Sequence, residues 1–306
     1  MGFLQDNFIS AFLVEAMNFL YTFIQDYSLT IIAVSLAIRL VMVPLDLKQR
    51  KNSRMMALIG PEVENLKKRY SNTPEQLNKK TQELYKKNGI RPLAGCLPML
   101  IQLPLLFAFF GAMRVIASEQ TVGLILGAAN QGAEITVLPQ WLWVHNFWQP
   151  DSIFEGVMPS AASLLSFVQT NASSISPQML MMLKNQGILL FSDGMMAVNA
   201  SVYDGLATGI SQANGMVGMA NGWLGLPILA GASLFLQQKL TSKTQPQQMN
   251  NKMMLYFFPA FSIWICATSN TAFSVYWLTT NVYSLAVHLL STAYYKRKEG
   301  LLQIKT

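Results

Sequence analysis

Charge is scarce in this sequence. Only 12% of its 306 residues are Asp, Glu, Lys or Arg, about half of what a soluble domain carries. Hydrophobic residues make up 52% and the mean hydropathy is +0.31. A soluble globular domain is excluded, and an all-α polytopic membrane protein is implied. Cysteine is almost missing, and Cys96 and Cys266 both lie in apolar stretches, so neither a disulfide framework nor a metal or redox site is suggested. His145 and His288 have no metal-ligand spacing around them, and no pair of acids occupies an apolar run; no enzyme and no cofactor is expected. None of the five expected spans carries Asp or Glu at its centre, which argues against proton-coupled or cation transport, whose pathways use acidic relays. The N-terminus has no basic n-region or small-residue cleavage site, and Asp6 stands where a myristoylation motif needs Ser or Thr, so an unprocessed chain is expected.

The charges that are present are segregated. Of 22 Lys and Arg, 12 lie between Lys48 and Arg91, and Lys239, Lys243 and Lys252 share one later loop. Lys296, Arg297, Lys298 and Lys305 close the chain, while only Arg39, Arg114 and Lys184 fall elsewhere. Residues 1–27 hold three acids and no base, and residues 115–222 hold six acids and one Lys. A net charge of +7 would point to nucleic acid if spread over one soluble face, but this pattern is a positive-inside signature. It orients five spans with the N-terminus outside and the C-terminus in the cytoplasm, in a cell membrane, and nucleic-acid binding is not expected as a primary function.

Taken in order, residues 8–25 place Phe8, Phe12, Phe19 and Phe23 near one face, which predicts an amphipathic helix on the outer surface within residues 1–27. The first span covers 28–45 and exits at Pro44. Residues 46–92 form a basic cytoplasmic hairpin, broken at Gly60-Pro61. Its second helix runs 74–88, with Thr73 and Gln76 as a capping box and Asn88-Gly89 as the stop. This hairpin is a docking surface for anionic lipid, a ribosome or a nascent chain, or else a solvated structure that only serves topology. The second span, 93–115, holds Pro98 and Pro104 around Gln102. Residues 116–222 are an extracytoplasmic region in which Trp141, Trp143 and Trp148 read as an interfacial anchor. Its part from 156 to 222 is rich in Met, Ser, Asn and Gly, with one or two short surface helices and a structural role. Then come the third span 223–240, a cytoplasmic loop 241–252, the fourth span 253–268, the fifth span 273–294 and a basic tail 295–306.

Within the first span stands Arg39. An arginine near the middle of a membrane helix costs roughly 2.5 to 3.5 kcal/mol on insertion scales and more in simulations. Arg39 is either structural, bonded to carbonyls at a helix crossing, or the cation of a water-filled groove. Ser35 lies one turn before it, and the fifth span carries Tyr276, Trp277, Thr280, Asn281 and Ser284 at offsets of three and four. With Gln102 in the second span and Gln237 and Gln238 in the third, several spans offer polar strips, more than glue requires. The groove is the better account, and it serves either a transported polypeptide or, as the alternative, a channel or small-solute transporter.

Four stretches in this order resemble the YidC family of membrane protein insertases. They are the run Leu36–Gln49 with Arg39 and Pro44, Cys96-Leu97-Pro98-Met99-Leu100-Ile101-Gln102-Leu103-Pro104, the segments Leu226–Ala230 and Phe235–Lys239, and Val275–Asn281. The resemblance covers about residues 17–155 and 223–298. It implies a five-span bundle around a hydrophilic groove open to cytoplasm and lipid, with insertase and folding-chaperone activity. It matches Arg39 to the groove arginine, Ser35 to a small hydroxyl beside it and Trp277 to a lining aromatic, with amides from Gln102 and from Gln237 or Gln238. Nascent membrane proteins are the implied partners, with the ribosome, the Sec translocon and anionic lipids at the hairpin beside them. The chain departs from the family in its long 156–222 segment, which implies an outer partner or cap that the family does not predict.

Overall fold

The computed structural model describes residues 8–90, 97–172, 175–192, 195–244 and 252–303. Cys96, Pro246 and Asn250-Asn251 lie outside these. In chain order the helices are α1 (Phe8–Ile24), α2 (Tyr27–Leu58), α3 (Gly60–Arg69), α4 (Pro74–Lys87), α5 (Leu97–Gln131), α6 (Ala161–Thr170) and α7 (Pro177–Asn185). The strands β1 (Leu189–Ser192) and β2 (Met195–Val198) follow, then α8 (Ala200–Ala213), α9 (Gly225–Thr244), α10 (Lys252–Thr268) and α11 (Thr271–Gln303). By length and composition two described helices, α2 and the Gln102–Gln131 part of α5, can cross a membrane. The chain divides into two compact units.

The first unit comprises Met1–Val34, Leu105–Ala230 and Ser262–Leu278. Its helix α1 is amphipathic as the phenylalanine spacing predicts: Phe8, Phe12, Phe19 and Phe23 are exposed while Ser10, Leu13 and Met17 are buried. It follows α5 instead of lying across it. Ser10 Oγ donates to the Ala108 carbonyl at 3.0 Å, and at the other end Tyr21 stacks on Tyr27, whose hydroxyl accepts from Gln120 Nε2. The buried hydroxyl and the Leu13 and Met17 side chains fix that line. Between the two helices Gln25 takes φ 55°, and Asp26 caps α2 by accepting from Ser28 Oγ at 2.6 Å and Leu29 N–H at 3.0 Å. Burial pushes the Asp26 carboxyl up, but the hydrogen bonds from Ser28 and Leu29 outweigh it and hold it below the ordinary value.

Helix α5 runs 16 residues beyond the expected end of its span at residue 115, and its extension organises the outer region. Val122, Ile125 and Leu126, at helical spacing, form a core with Leu164 and Val168 of α6, Leu183 of α7, Leu189 of β1 and Tyr203 of α8. A second cluster joins Ala128, Leu138, Val157, Ile210 and Met216. Ser160 and Ser176 cap α6 and α7 by accepting from Ser163 N–H and Met179 N–H. Among the described residues the region expected to hold one or two surface helices thus has three and an antiparallel strand pair in register Leu189↔Val198 to Ser192↔Met195, sharing a buried core. Tyr203 is its largest buried side chain, with its hydroxyl donating to the Pro159 carbonyl at 2.7 Å; burial pushes its phenol pKa well up. Tyr203→Phe orphans that carbonyl and is expected to cost about 1–3 kcal/mol, read as a lower thermal midpoint in detergent with the secondary structure intact.

The second unit comprises Ser35–Pro104, Gly231–Phe261 and Thr279–Thr306. Here α2 continues through Pro44 to Leu58, so the hairpin expected over 46–92 is α3 and α4 alone, joined to an unbroken helix. Prolines are tolerated inside membrane helices where neighbours re-satisfy the freed carbonyl. Ile59, Val63 and Ile90 form the hairpin core, with Met55, Met56, Leu84 and Tyr85 against it. Pro74 opens α4, but Thr73 makes no side-chain cap bond, so the expected capping box does not form. The stop does: Gly89 takes φ 64°, and Ile90 N–H reaches back to the Tyr85 carbonyl at 2.9 Å.

Candidate functional site

Helix α2 is two-faced along its whole length. Leu36, Leu40 and Val41 are exposed, at 37%, 64% and 79%, whereas Ser35 and Arg39 are 1% and 8% exposed. The same buried face continues toward the C-terminal end of α2 with Asp46 and Arg50, both partly buried, because positions 35, 39, 46 and 50 recur at helical spacing. An apolar flank suited to lipid and a polar flank turned inward follow from one stretch of sequence.

In the second unit α11 lines up along that polar face. Tyr283 Oη donates to the Arg39 carbonyl at 3.2 Å. Further along, Arg50 Nη1 lies 3.3 Å from His288 Nδ1 and 3.4 Å from Ser291 Oγ, and Arg50 Nη2 donates to the Ser284 carbonyl at 3.3 Å. Both sets of contacts advance in the same chain direction, so α2 and α11 run parallel. Arg54, one turn on, lies over the Tyr295 ring at 4.8 Å. Thr280 and Asn281 are buried on α11 at 4% and 8%. Gln102, Gln237 and Gln238 are partly buried in the same unit.

Three buried polar atoms of this unit have no hydrogen-bond partner among the described residues: Arg39 Nε, Arg50 Nε and Gln238 Oε1. Buried polar groups are normally paired, so each such atom needs water or a ligand to satisfy it. No His, Cys, Asp and Glu cluster among the described residues could hold a metal. What the arrangement can do chemically is hold a cation and an amide where polar solutes, and not hydrocarbon, must meet them.

The sequence-predicted site residues divide between the units. Ser35, Arg39, Gln102, Gln237, Gln238, Thr280 and Asn281 fall in the second, and Tyr276 and Trp277 in the first. Tyr276 is fully buried and stacked on Phe109, with ring centroids 3.9 Å apart, which makes it a packing residue in this conformation. Trp277 is partly buried and donates from Nε1 to Ser262 Oγ at 2.7 Å. Sequence reasoning passed over Arg50, Tyr283 and His288. Their signal was present, since Arg50 continues the spacing of Arg39 and Asp46, but a basic residue beside a basic hairpin reads as a topology signal first.

Comparison with known proteins gives the family. The model of the 60Kd inner membrane protein family matches residues 19–203 and 198–298. The chain belongs to this family. A protein of Fusobacterium nucleatum named membrane protein insertase YidC is 26% identical over 276 residues, which cover 90% of this chain and 91% of the relative. One of the same name from Clostridium perfringens is 34% identical over 149 residues, 49% of this chain and 53% of the relative. A third, from Chloroherpeton thalassium, is 26% identical over 279 residues. Those residues are 91% of this chain but only 35% of that longer protein. The chain is therefore a YidC family member and a helical membrane protein.

Proposed function

We propose that the chain is a membrane protein insertase and folding chaperone of the cell membrane. Its five spans, 28–45, 93–115, 223–240, 253–268 and 273–294, enclose a groove open to cytoplasm and lipid. The observation that carries this is Arg39: a residue 8% exposed, with no partner for its Nε among the described residues, on a helix whose opposite side is exposed and apolar. Parallel α2 and α11 agree with the first and fifth spans both running inward. The names of the relatives point the same way.

In this mechanism the hydrophilic tail of a nascent membrane protein enters from the cytoplasm, where the basic hairpin attracts anionic headgroups and holds the entrance near the bilayer. A carboxylate on the tail pairs with Arg39, and Ser35, Gln102, Gln238, Thr280 and Asn281 replace part of its hydration. The apolar segment that follows slides past Leu36 and Leu40 into lipid. Polar groups then cross a shorter water-poor distance, and no nucleotide is consumed.

Purified chain in proteoliposomes, given a single-span substrate with an acidic tail, is expected to protect that tail from external protease without passing ions. A photocrosslinker at Ser35 or Trp277 is expected to capture the stalled substrate. Ion flux across the vesicles with no insertion would replace this reading with the channel.

A further inference from the structure

Arg114 is the cation that neither the positive-inside pattern nor the polar face of α2 absorbs. It belongs to α5, in the first unit, near the end of the span that the charge pattern directs outward. Lys and Arg concentrate on the cytoplasmic side, so a cation kept here stands against the trend.

Two hydrogen bonds fix its height. In the turn between α10 and α11, Asn270 Nδ2 donates to the Met113 carbonyl at 3.3 Å. Seven residues further along α5, Gln120 Nε2 donates to the hydroxyl of Tyr27, the first residue of α2, at 3.0 Å. At about 1.5 Å per residue the two markers are about 10 Å apart along the helix. Arg114 adjoins the lower one. It therefore sits at the outer ends of α10 and α11, at the outer rim of the bilayer, and this placement rests on the topology proposed above.

The side chain is partly buried, and its guanidinium lies 5.6 Å from the centroid of the Phe110 ring. Phe110 is itself held edge-on by Phe273, at 5.3 Å and 88°, so the aromatic beneath the cation is fixed. Among the described residues no acid forms an ion pair with Arg114 and no acceptor bonds its guanidinium. The nearest acid along the helix, Glu119, is five residues away, off the i+3 and i+4 positions where a helical ion pair forms. A cation that is partly desolvated, backed by a ring and without a protein counter-ion matches an anion available at that depth. The phosphodiester of a phospholipid is such an anion, since a guanidinium offers paired donors in the spacing of two phosphate oxygens. An arginine that only covered apolar surface with its stem would need no fixed ring under its charged end.

We infer that Arg114 is a binding site for the phosphate of an outer-leaflet phospholipid, with Phe110 as the platform beneath the guanidinium. The site is separate from Arg39, and it ties the outer ends of α5, α10 and α11 to the lipid headgroups.

The chain purified in non-ionic detergent and titrated with dioleoyl phosphatidylglycerol tests this, with bound lipids counted by native mass spectrometry. Wild type is expected to hold one lipid that Arg114→Gln loses, with affinity weakened roughly tenfold or more, as for loss of a charge-assisted pair. Arg114→Lys, which keeps the charge but not the paired donors, is expected to bind between wild type and Arg114→Gln, and Phe110→Leu to weaken binding about two- to fivefold. Diacylglycerol, which lacks the phosphate, is expected not to bind there. Equal lipid number and affinity in wild type and Arg114→Gln would overturn the inference, as would equal binding of diacylglycerol. Displacement of the lipid by inorganic phosphate at comparable concentration would assign the site to a free anion instead. If Arg114→Gln does not stay monodisperse, the ranking of wild type, Arg114→Lys and Phe110→Leu decides, and three equal affinities overturn the site. Val115→Cys, in a chain with Cys96 and Cys266 changed to Ser, is labelled from outside by an impermeant maleimide only if the topology is right, so failure of that reading is seen separately.

Discussion

Arg39→Ala is expected to reduce insertion of a substrate with an acidic translocated tail by ten- to a hundredfold, while a substrate with a neutral tail inserts as before. The magnitude follows from the surroundings of the guanidinium. Two unit charges 4 Å apart interact by about 1 kcal/mol in water and about 4 kcal/mol at an effective dielectric near 20. Arg39 is 8% exposed, so the second figure is the closer guide. The difference of roughly 3 kcal/mol is about a hundredfold in an equilibrium constant, at 1.4 kcal/mol per tenfold, and partial wetting lowers it. Arg39→Lys keeps the charge but not the planar fork, so activity between the two is expected. Stability should move the other way, because removing a buried intramembrane cation relieves about 2.5–3.5 kcal/mol on insertion scales, and the thermal midpoint of Arg39→Ala should not fall. Protease protection of acidic and neutral tails in parallel proteoliposomes separates the outcomes. Equal loss for both substrates would mean that Arg39 holds the helices together, the structural role weighed against it from the sequence.

That role could be weighed because the polar face of α2 is written locally. Ser35, Arg39, Asp46 and Arg50 are spaced so that any α-helix through them carries one polar side, and burial then follows from lipid on the other. The ends of helices were far less legible. The polar pair Glu119 and Gln120 interrupts the apolar run of α5, but a helix needs no apolar run, and this one continues to Gln131 before Gly132 takes φ 106°. Helices α2 and α11 likewise continue past the expected span ends at residues 45 and 294, to Leu58 and Gln303. The role of Tyr276 was hidden for another reason: its position on a polar strip is local, whereas its stacking on Phe109 is a tertiary contact without a sequence signature. Trp148, read as an interfacial anchor, is only 4% exposed and packs edge-on to Tyr27, while Trp223 and Trp264 are exposed, at 56% and 60%.

The largest loss of stability is expected at Asp151, which the sequence places beside that anchor and the structure buries completely. Its carboxylate accepts from Trp143 Nε1 at 3.0 Å, from Leu224 N–H at 3.1 Å and from Leu226 N–H at 2.7 Å. Two of these donors are at the N-terminus of α9, where the helix leaves its own N–H groups unpaired and where negative charge is favoured. The partners are 73 and 75 residues away along the chain, so no local pattern could reveal them. Space around the carboxylate is fully used: a Cβ on Gly222 would collide with Asp151 Oδ1, and one on Gly225 would come within 2.5 Å of Trp143. Asn221 closes the same strap, giving its side-chain N–H groups to the Asn146 and Pro150 carbonyls and accepting from Asn146 N–H at 2.7 Å. Asp151→Ala leaves three donors unpaired, one buried and two part-buried, and is expected to cost about 3–5 kcal/mol, more than any single neutral hydrogen bond. Asp151→Asn keeps the shape and one acceptor but turns an amide N–H toward a donor, so an intermediate loss is expected. Gly222→Ala should destabilise through the same contact without touching the charge. Thermal unfolding in detergent, followed by tryptophan fluorescence, orders these variants against Asp204→Ala, an exposed acid of α8. A midpoint for Asp151→Ala no lower than that control would mean that the cap does not hold α9. A large drop would place the anchorage of the helix that bears Gln237 and Gln238 outside the hydrophobic span, in a carboxylate more than 80 residues away in the chain.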